Sequence, residues 1–222
     1  MSIAPIYFDT SNGRQDRPLL IFVEGTDDAH FVDVVLQDLG ADPRHVGIII
    51  VEGTPKFPNS IAMFKKSRNY RNAKGVALIR DADDDFAVAI SDSNKIFLKE
   101  FELQVNHAQI SSSDIFSVGL FVLPGNEEVG DLEKLCLATV AGTQLEIDAE
   151  NYINKVQQSG ILNKIYKRKA QVFLAGKPDD VCRGAGMGFK KGFFDKNHES
   201  LFPLKEFLSK FITLNLEVAI SA

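Results

Sequence analysis

The chain has 222 residues, with 30 Asp and Glu residues against 25 Lys and Arg residues and a formal net charge of -5. This length suffices to bury a hydrophobic core in one domain, or in one domain with an appendage. The negative charge argues against a protein that coats nucleic acid by bulk attraction, although it does not exclude a local basic groove.

The first residues lack the basic start and the apolar centre of a signal peptide, so none is predicted. No apolar run is long enough to span a membrane. The two cysteines, Cys136 and Cys182, match no zinc spacing and are expected to be reduced thiols. Together these features predict a cytoplasmic location.

The first part of the chain predicts strands that alternate with helices. Short apolar runs bounded by polar or turn residues predict four strands, at residues 19–23, 46–51, 76–80 and 115–123. Helical spacing of apolar residues predicts the helices that follow them, around residues 27–39, 60–70, 86–105 and 132–140, the third with a break near residues 91–94. This order indicates an α/β fold with a roughly four-stranded parallel sheet flanked by helices.

The periodicity weakens after Gly142. Helices are expected near residues 147–158, 162–174 and 203–212, whereas the glycine-rich and basic residues 177–196 are expected to form a loop. The predicted organisation is an α/β domain of residues 17–140 and a mainly helical extension of residues 141–222, which packs on or beside the sheet.

Acidic residues follow two of the predicted strands. Glu24 ends the first strand, and a run of four carboxylates ends the third, namely Asp81, Asp83, Asp84 and Asp85. In an open α/β sheet, ligands bind beyond the carboxyl ends of the strands. Asp81 and Asp83 are two residues apart, so in an extended segment their side chains point the same way. With Glu24 they predict a three-carboxylate site suited to Mg²⁺ or Mn²⁺.

The tetrapeptide Val-Glu-Gly-Thr occurs twice, at residues 23–26 and 51–54. Each copy ends a predicted strand, so we interpret the pair as two similar turns between a strand and a helix.

These motifs resemble the TOPRIM domain, which has a Glu-Gly pair before a helix and an Asp-x-Asp after an apolar strand. TOPRIM domains occur in topoisomerases, primases, recombination-repair proteins and OLD-family nucleases, and this chain looks most like the small stand-alone TOPRIM proteins related to the OLD group. The resemblance covers residues 19–123. It implies a small parallel sheet, with Glu24 as a general acid or base or a metal ligand, and with Asp81 and Asp83 as ligands of Mg²⁺.

The resemblance also implies further acidic residues. Asp85 would be a third or outer ligand. OLD-type enzymes add acids after the fourth strand, for which this sequence offers Glu127, Glu128, Asp131 and Glu133. Among these, Glu128 and Glu133 are the predicted metal ligands.

TOPRIM reactions make or break phosphodiester bonds, so the resemblance implies a Mg²⁺-dependent or Mn²⁺-dependent phosphoryl-transfer enzyme, above all a nuclease. No tyrosine can be placed beside the acids from the sequence, which leaves topoisomerase-type covalent attack without support. The chain has no Walker A motif, so an ATPase partner would have to be a separate subunit.

Basic clusters accompany the acids and predict nucleic acid as the partner. The predicted contacts are Lys65, Lys66, Arg68, Arg71, Arg168, Lys169, Lys190 and Lys191. Contacts between such residues and phosphates give affinity without sequence preference.

Two other hypotheses stay open. A non-catalytic module could bind nucleic acid or a partner protein, with the acids vestigial. A nucleotide-sugar transferase could use a metal-binding Asp-x-Asp, but that hypothesis leaves Glu24 without a role.

A calcium loop is set aside because Phe86 stands where that loop needs glycine and Asp92 replaces its glutamate. The sequence does not decide whether the nucleic acid is DNA or RNA, or whether the chain forms a homo-oligomer.

Overall fold

The computed structural model describes residues 7–8, 17–160, 163–178 and 184–217. Within these residues the strands form one sheet in the order β1-β3-β2-β4-β6-β5. The strands are β1 (Tyr7–Phe8), β2 (Leu19–Val23), β3 (Val46–Ile50), β4 (Gly75–Asp81), β5 (Gln109–Ser112) and β6 (Ser117–Leu123). The α-helices are α1 (Thr26–Asp38), α2 (Phe57–Lys66), α3 (Phe86–Phe101), α4 (Leu132–Ala138), α5 (Gln144–Gln158), α6 (Ile165–Ala175), α7 (Ala185–Lys190) and α8 (Phe202–Glu217).

The predicted α/β fold is confirmed, with a mainly parallel sheet and a mainly helical C-terminal region. The four predicted strands form its parallel centre, β3-β2-β4-β6. Two strands were not predicted. Strand β1 is a two-residue parallel edge on β3, and β5 is a polar strand antiparallel to β6. Strand β1 is too short to give a pattern, and β5 lacks an apolar run because it lies at an edge of the sheet.

The predicted break in α3 does not occur. The buried Ser93 hydroxyl donates a hydrogen bond to the Ala89 carbonyl, 2.8 Å away, so the helix satisfies this polar side chain internally. Asn94 accepts a hydrogen bond from the backbone N–H of Val105 at 2.8 Å, which holds the chain beyond the helix. The polar residues near the middle of α3 therefore stabilise the helix and its exit.

The sheet is buried on both faces, as its apolar strands require. On β2, Leu19, Ile21 and Val23 pack in the hydrophobic cluster that contains α1, α4 and the C-terminal helices. Leu20 and Phe22 pack in the cluster that contains α2 and α3. The fold thus has three layers, with a helical layer on each face of the sheet.

The C-terminal helices pack on the α1 face. The cluster there includes residues on both sides of residue 140, among them Phe31, Phe173 and Phe207. None of the helices in the described parts of the chain is both long and apolar enough to cross a membrane.

The prediction of a loop over residues 177–196 was wrong in part, because α7 forms within it. Its glycines allow a close approach to α1 rather than flexibility. A Cβ atom on Gly186 would lie 1.8 Å from the Asp27 carbonyl oxygen. The backbone N–H of Met187 donates to the Asp27 carboxylate at 3.0 Å, so α7 is fixed to the start of α1.

Candidate functional site

A large cleft opens beyond the carboxyl ends of β2 and β4. It has a volume of about 870 Å³, and its acidic lining includes Glu24, Asp27, Asp28, Asp81, Asp83 and Glu133. Strands β2 and β4 are neighbours, but the helices that follow them, α1 and α3, lie on opposite faces of the sheet. This is a topological switch point, where open α/β sheets leave a crevice for ligands.

Glu24 is held in one orientation by hydrogen bonds from two other parts of the chain. One carboxylate oxygen accepts a hydrogen bond from the Thr54 hydroxyl at 2.8 Å, and the other accepts from the backbone N–H of Asp81 at 3.3 Å. Burial raises the pKa of Glu24, against the lowering effects of the Thr54 hydrogen bond and the Arg80 charge. The carboxyl group is therefore fixed in place, and it holds its proton more tightly than an exposed glutamate does.

The two Val-Glu-Gly-Thr copies lie side by side at this edge. The backbone N–H of Val51 donates to the Val23 carbonyl, and that of Gly53 to the Glu24 carbonyl. The second copy thereby brings Thr54 to Glu24. Its own glutamate, Glu52, lines the cleft but is highly exposed and pairs with Lys56. One tetrapeptide thus supplies the buried carboxylate, and the other supplies the hydroxyl that orients it.

Arg80 lies behind Glu24 and was not identified from the sequence. Its guanidinium is buried at the end of β4, and its Nε atom lies 4.0 Å from the nearer Glu24 oxygen. A buried arginine usually pairs with an acid, so an arginine that ends an apolar strand was the available signal.

Within the acidic cluster, Asp28 is buried and Asp81 is half-buried. The Asp81 carboxylate accepts a hydrogen bond from the backbone N–H of Leu132 at 3.0 Å, at the start of α4. Burial, followed by the charges of Asp28 and Glu24, raises the pKa of Asp81 well above its usual range. Burial and the Glu24 charge raise the pKa of Asp28 to about 7. These carboxylates oppose one another's ionisation.

Asp28 was also missed by the sequence analysis. It is the third residue of α1, and it accepts a hydrogen bond from the Gly25 N–H at 2.9 Å in a capping box. An acid at this helix position is common for structural reasons alone, which hides a second role.

Asp83 reaches the cleft by a turn and not by an extended segment, so the predicted geometry was wrong. Strand β4 ends at Asp81, and Asp83 has a left-handed φ of 50°. Its backbone N–H and carbonyl both pair with Gly130 at 2.9 Å. The bridge to Gly130 fixes this turn, and Asp83 still lines the same cleft as Asp81.

Of the other three predicted acidic ligands, one lines the cleft and two do not. Glu133 lines the cleft, and burial together with the Asp131 charge raises its pKa. Asp85 instead caps α3, because its carboxylate accepts from the backbone N–H of Val88 at 2.9 Å. Glu128 is exposed and pairs with Lys134 at 2.7 Å. Neither Asp85 nor Glu128 is among the described residues that line the cleft.

Of the eight predicted nucleic-acid contacts, Lys191 alone lines the cleft within the described residues. The Lys65 ammonium donates to the Glu100 carbonyl, and Lys169 bridges Glu146 and Glu150. Arg168 donates to the Asn163 carbonyl at 3.1 Å, and Lys190 lies 3.8 Å from the buried Asp33.

The remaining predicted basic residues lie at the opposite edge of the sheet. Helix α2 starts beyond β3 and runs back to the start of β4, so its 10 residues carry the chain away from the cleft. Lys66, Arg68 and Arg71 follow at this far end, and all three are exposed. In their place, Lys164 just before α6, Lys167 in its first turn and Lys191 line the cleft, and we name these three lysines the lysine wall.

The acidic cluster can hold a hard divalent cation only with help from other ligands. Among the described residues, no three His, Cys, Asp or Glu side chains are arranged to hold a metal ion as they stand. Hydrogen bonds already engage oxygens of Glu24, Asp28 and Asp81. Mg²⁺, however, is commonly bound by one or two carboxylates together with water and substrate phosphates. The oxygen-rich donor set fits such a site.

A family model described as a protein of unknown function (DUF3226) matches residues 18–213. The chain belongs to the DUF3226 family. The DUF3226 match includes every residue of the cleft described above, from Glu24 to Lys191. Searches of the curated proteins and of the solved structures found no match. The geometry and charge of the cleft are therefore the guide to function in this DUF3226 protein.

Proposed function

We propose that this protein is a Mg²⁺-dependent phosphoryl-transfer enzyme with a TOPRIM-like domain, and that it cleaves phosphodiester bonds in nucleic acid. The proposal is supported by the contact between Glu24 and Asp81 at the switch point of the sheet. A partly buried acid cluster there shares one cleft with three lysines. Strongly perturbed carboxylates in a cleft are a mark of functional sites.

Charge balance supports a cation in this cluster. Burial, followed by the charges of neighbouring carboxylates, raises the pKa values of Asp28 and Asp81, so their ionised forms are disfavoured in the metal-free cleft. A divalent cation stabilises the ionised form of such a group. In the proposed site Asp81 and Asp83 are the ligands. A bound Mg²⁺ would polarise a phosphoryl oxygen and stabilise the leaving oxygen.

Glu24 suits proton transfer. Its carboxylate is oriented by Thr54 and by the Asp81 backbone, and burial raises its pKa. A positioned carboxyl group can transfer a proton to or from a reacting group, and a raised pKa makes its carboxylate a stronger base. We assign it as the general base or acid of the cleavage step.

The first test is calorimetric titration of Mg²⁺ and Mn²⁺ into the wild type and into an Asp81→Asn/Asp83→Asn variant, followed by cleavage assays on single-stranded and double-stranded substrates. We expect the wild type to bind metal and cleave, and the variant to lose both, because each substitution removes a charged ligand. Asp114→Asn, which changes an exposed acid in the β5–β6 hairpin, is the control and should behave like the wild type. A double variant that still binds metal and cleaves would refute the assignment.

A second prediction concerns the lysine wall. A Lys167→Glu/Lys191→Glu variant should bind a labelled oligonucleotide about tenfold or more weakly, with a smaller dependence on salt, because two phosphate contacts are lost. The matched control is Arg68→Glu/Arg71→Glu, which reverses two exposed charges at the opposite edge of the sheet. Affinities are measured by fluorescence anisotropy over a range of salt concentrations. An equal loss in the control would place nucleic acid outside the cleft.

One observation favours a second candidate, a non-catalytic module that binds nucleic acid or a partner protein. As they stand, the described side chains form no group of three metal-binding residues. In that case the wild type would bind the oligonucleotide through the lysine wall without binding Mg²⁺ or Mn²⁺. The calorimetric titration separates the two candidates. The nucleotide-sugar transferase hypothesis has less support, because Glu24 is built into the cluster.

A further inference from the structure

A second cavity, which we name the side groove, adjoins the cleft. It has a volume of about 450 Å³, and it shares Asp83 and Lys164 with the cleft. Its outer part is formed by Val129, Asn163 and Tyr166. A ligand bound at the acidic cluster can therefore extend into the side groove past Asp83.

The side groove carries an accessible aromatic ring. Tyr166 is 37% exposed, and Val129 opposite the polar residues is 49% exposed. The Lys134 ammonium lies 5.4 Å from the centre of the Tyr166 ring, and its contacts with Glu128 and the Val129 carbonyl hold it there. The Tyr166 side chain is thus held by a contact with Lys134, and it is accessible where it lines the side groove. Aromatic side chains at such positions serve as stacking platforms for bases.

The charge of the side groove differs from that of the cleft wall. Asp83, Asp84 and Asp131 line it, with Lys164 as the cation among the described lining residues. An acidic surface disfavours a phosphate but accepts a neutral ring that carries N–H donors, because carboxylates accept hydrogen bonds from amino groups of bases. The lysines of the cleft favour phosphates instead. The cleft thus suits the phosphates of a nucleic-acid strand, and the adjoining side groove suits a base of the same strand.

We propose that the side groove binds one unpaired nucleobase of a single-stranded nucleic acid, stacked on Tyr166, while the backbone follows the lysine wall of the cleft. This inference rests on the proposed function and names its substrate class. A base inside a duplex is stacked and paired and must leave the helix to reach such a cavity. A single strand, or an unpaired end, presents its bases without that cost. The side groove therefore selects single strands over duplexes.

The test measures binding of a fluorescein-labelled 12-nucleotide single strand and of the duplex of the same sequence. Ca²⁺, which takes the same kind of oxygen ligands, replaces Mg²⁺ to slow turnover. We expect the wild type to prefer the single strand. Tyr166→Leu should weaken that binding roughly tenfold, whereas Tyr166→Phe, which keeps the ring, should not. Thermal melting of each variant verifies that it is folded.

A second measurement needs no variant. Wild-type binding is compared for the single strand and for copies with one abasic site at successive positions, and one position should show the same roughly tenfold loss. Equal affinity for duplex and single strand, or no effect of Tyr166→Leu and of every abasic site, would overturn the inference. Mg²⁺-dependent cleavage without a Tyr166 effect would refute the side groove alone. A Tyr166 effect in a protein that never cleaves would refute the nuclease and retain the side groove.

Discussion

Replacing Glu24 by Gln is expected to lower the rate of phosphodiester cleavage about a thousandfold without unfolding the chain, because general acid or base catalysis contributes factors of this order. Glutamine has the same shape and can still accept a hydrogen bond from the Thr54 hydroxyl or the Asp81 backbone, but it cannot exchange a proton. Single-turnover cleavage at saturating Mg²⁺ measures the chemical step. Calorimetry on the same variant should show that Mg²⁺ still binds, since Asp81 and Asp83 are unchanged.

The chain supplies its own control for this experiment. Glu52 occupies the same place in the second Val-Glu-Gly-Thr copy and lines the same cleft, but its side chain is 74% exposed and pairs with Lys56. Glu52→Gln should therefore leave the cleavage rate nearly unchanged. If the two substitutions reduced the rate equally, the effect would come from the charge of the cleft and not from proton transfer at Glu24.

The fold could be predicted where a short stretch of sequence determines the local structure by itself. The four central strands are apolar runs that end in polar residues, so their positions and their common carboxyl edge follow from local pattern. Glu24 and Asp81 share that edge for the same reason. Strand β5 was missed because Gln109–Ser112 is polar, and its pairing with β6 depends on the hairpin and not on its own sequence.

The positions of the basic residues could not be predicted in the same way. Lys164 and Lys167 line the cleft, but Arg168 and Lys169, which follow at once, contact the protein instead. Lys164 precedes the helix in a left-handed conformation, and the successive helical residues Lys167, Arg168 and Lys169 point in different directions around α6. Which side of α6 meets the cleft depends on its packing against distant parts of the chain. A dense basic cluster in the sequence does not contain that information.

Asp28 is expected to make the stability of the metal-free protein depend strongly on pH. The ordinary pKa of an aspartate side chain is 3.8, and burial is the main reason that the pKa of Asp28 rises to about 7 in the folded protein. A carboxyl group with a raised folded pKa binds more protons when folded than when unfolded, so stability falls as pH rises through this range. The free energy of unfolding should thus decrease between about pH 4 and pH 7, by up to about 4 kcal/mol from this group.

The comparison that isolates this effect is urea unfolding of the wild type and of Asp28→Asn, in EDTA, at pH 5 and at pH 8. Asparagine keeps an oxygen to accept the hydrogen bond from Gly25 but never ionises, so the variant should gain stability relative to the wild type as pH rises. Adding Mg²⁺ at pH 8 should stabilise the wild type, because a cation offsets the repulsion among the ionised acids. If the free energy of unfolding changed with pH equally in the two proteins, Asp28 would ionise in the folded state without a loss of stability. The acidic cluster would then not need a cation to balance its charge.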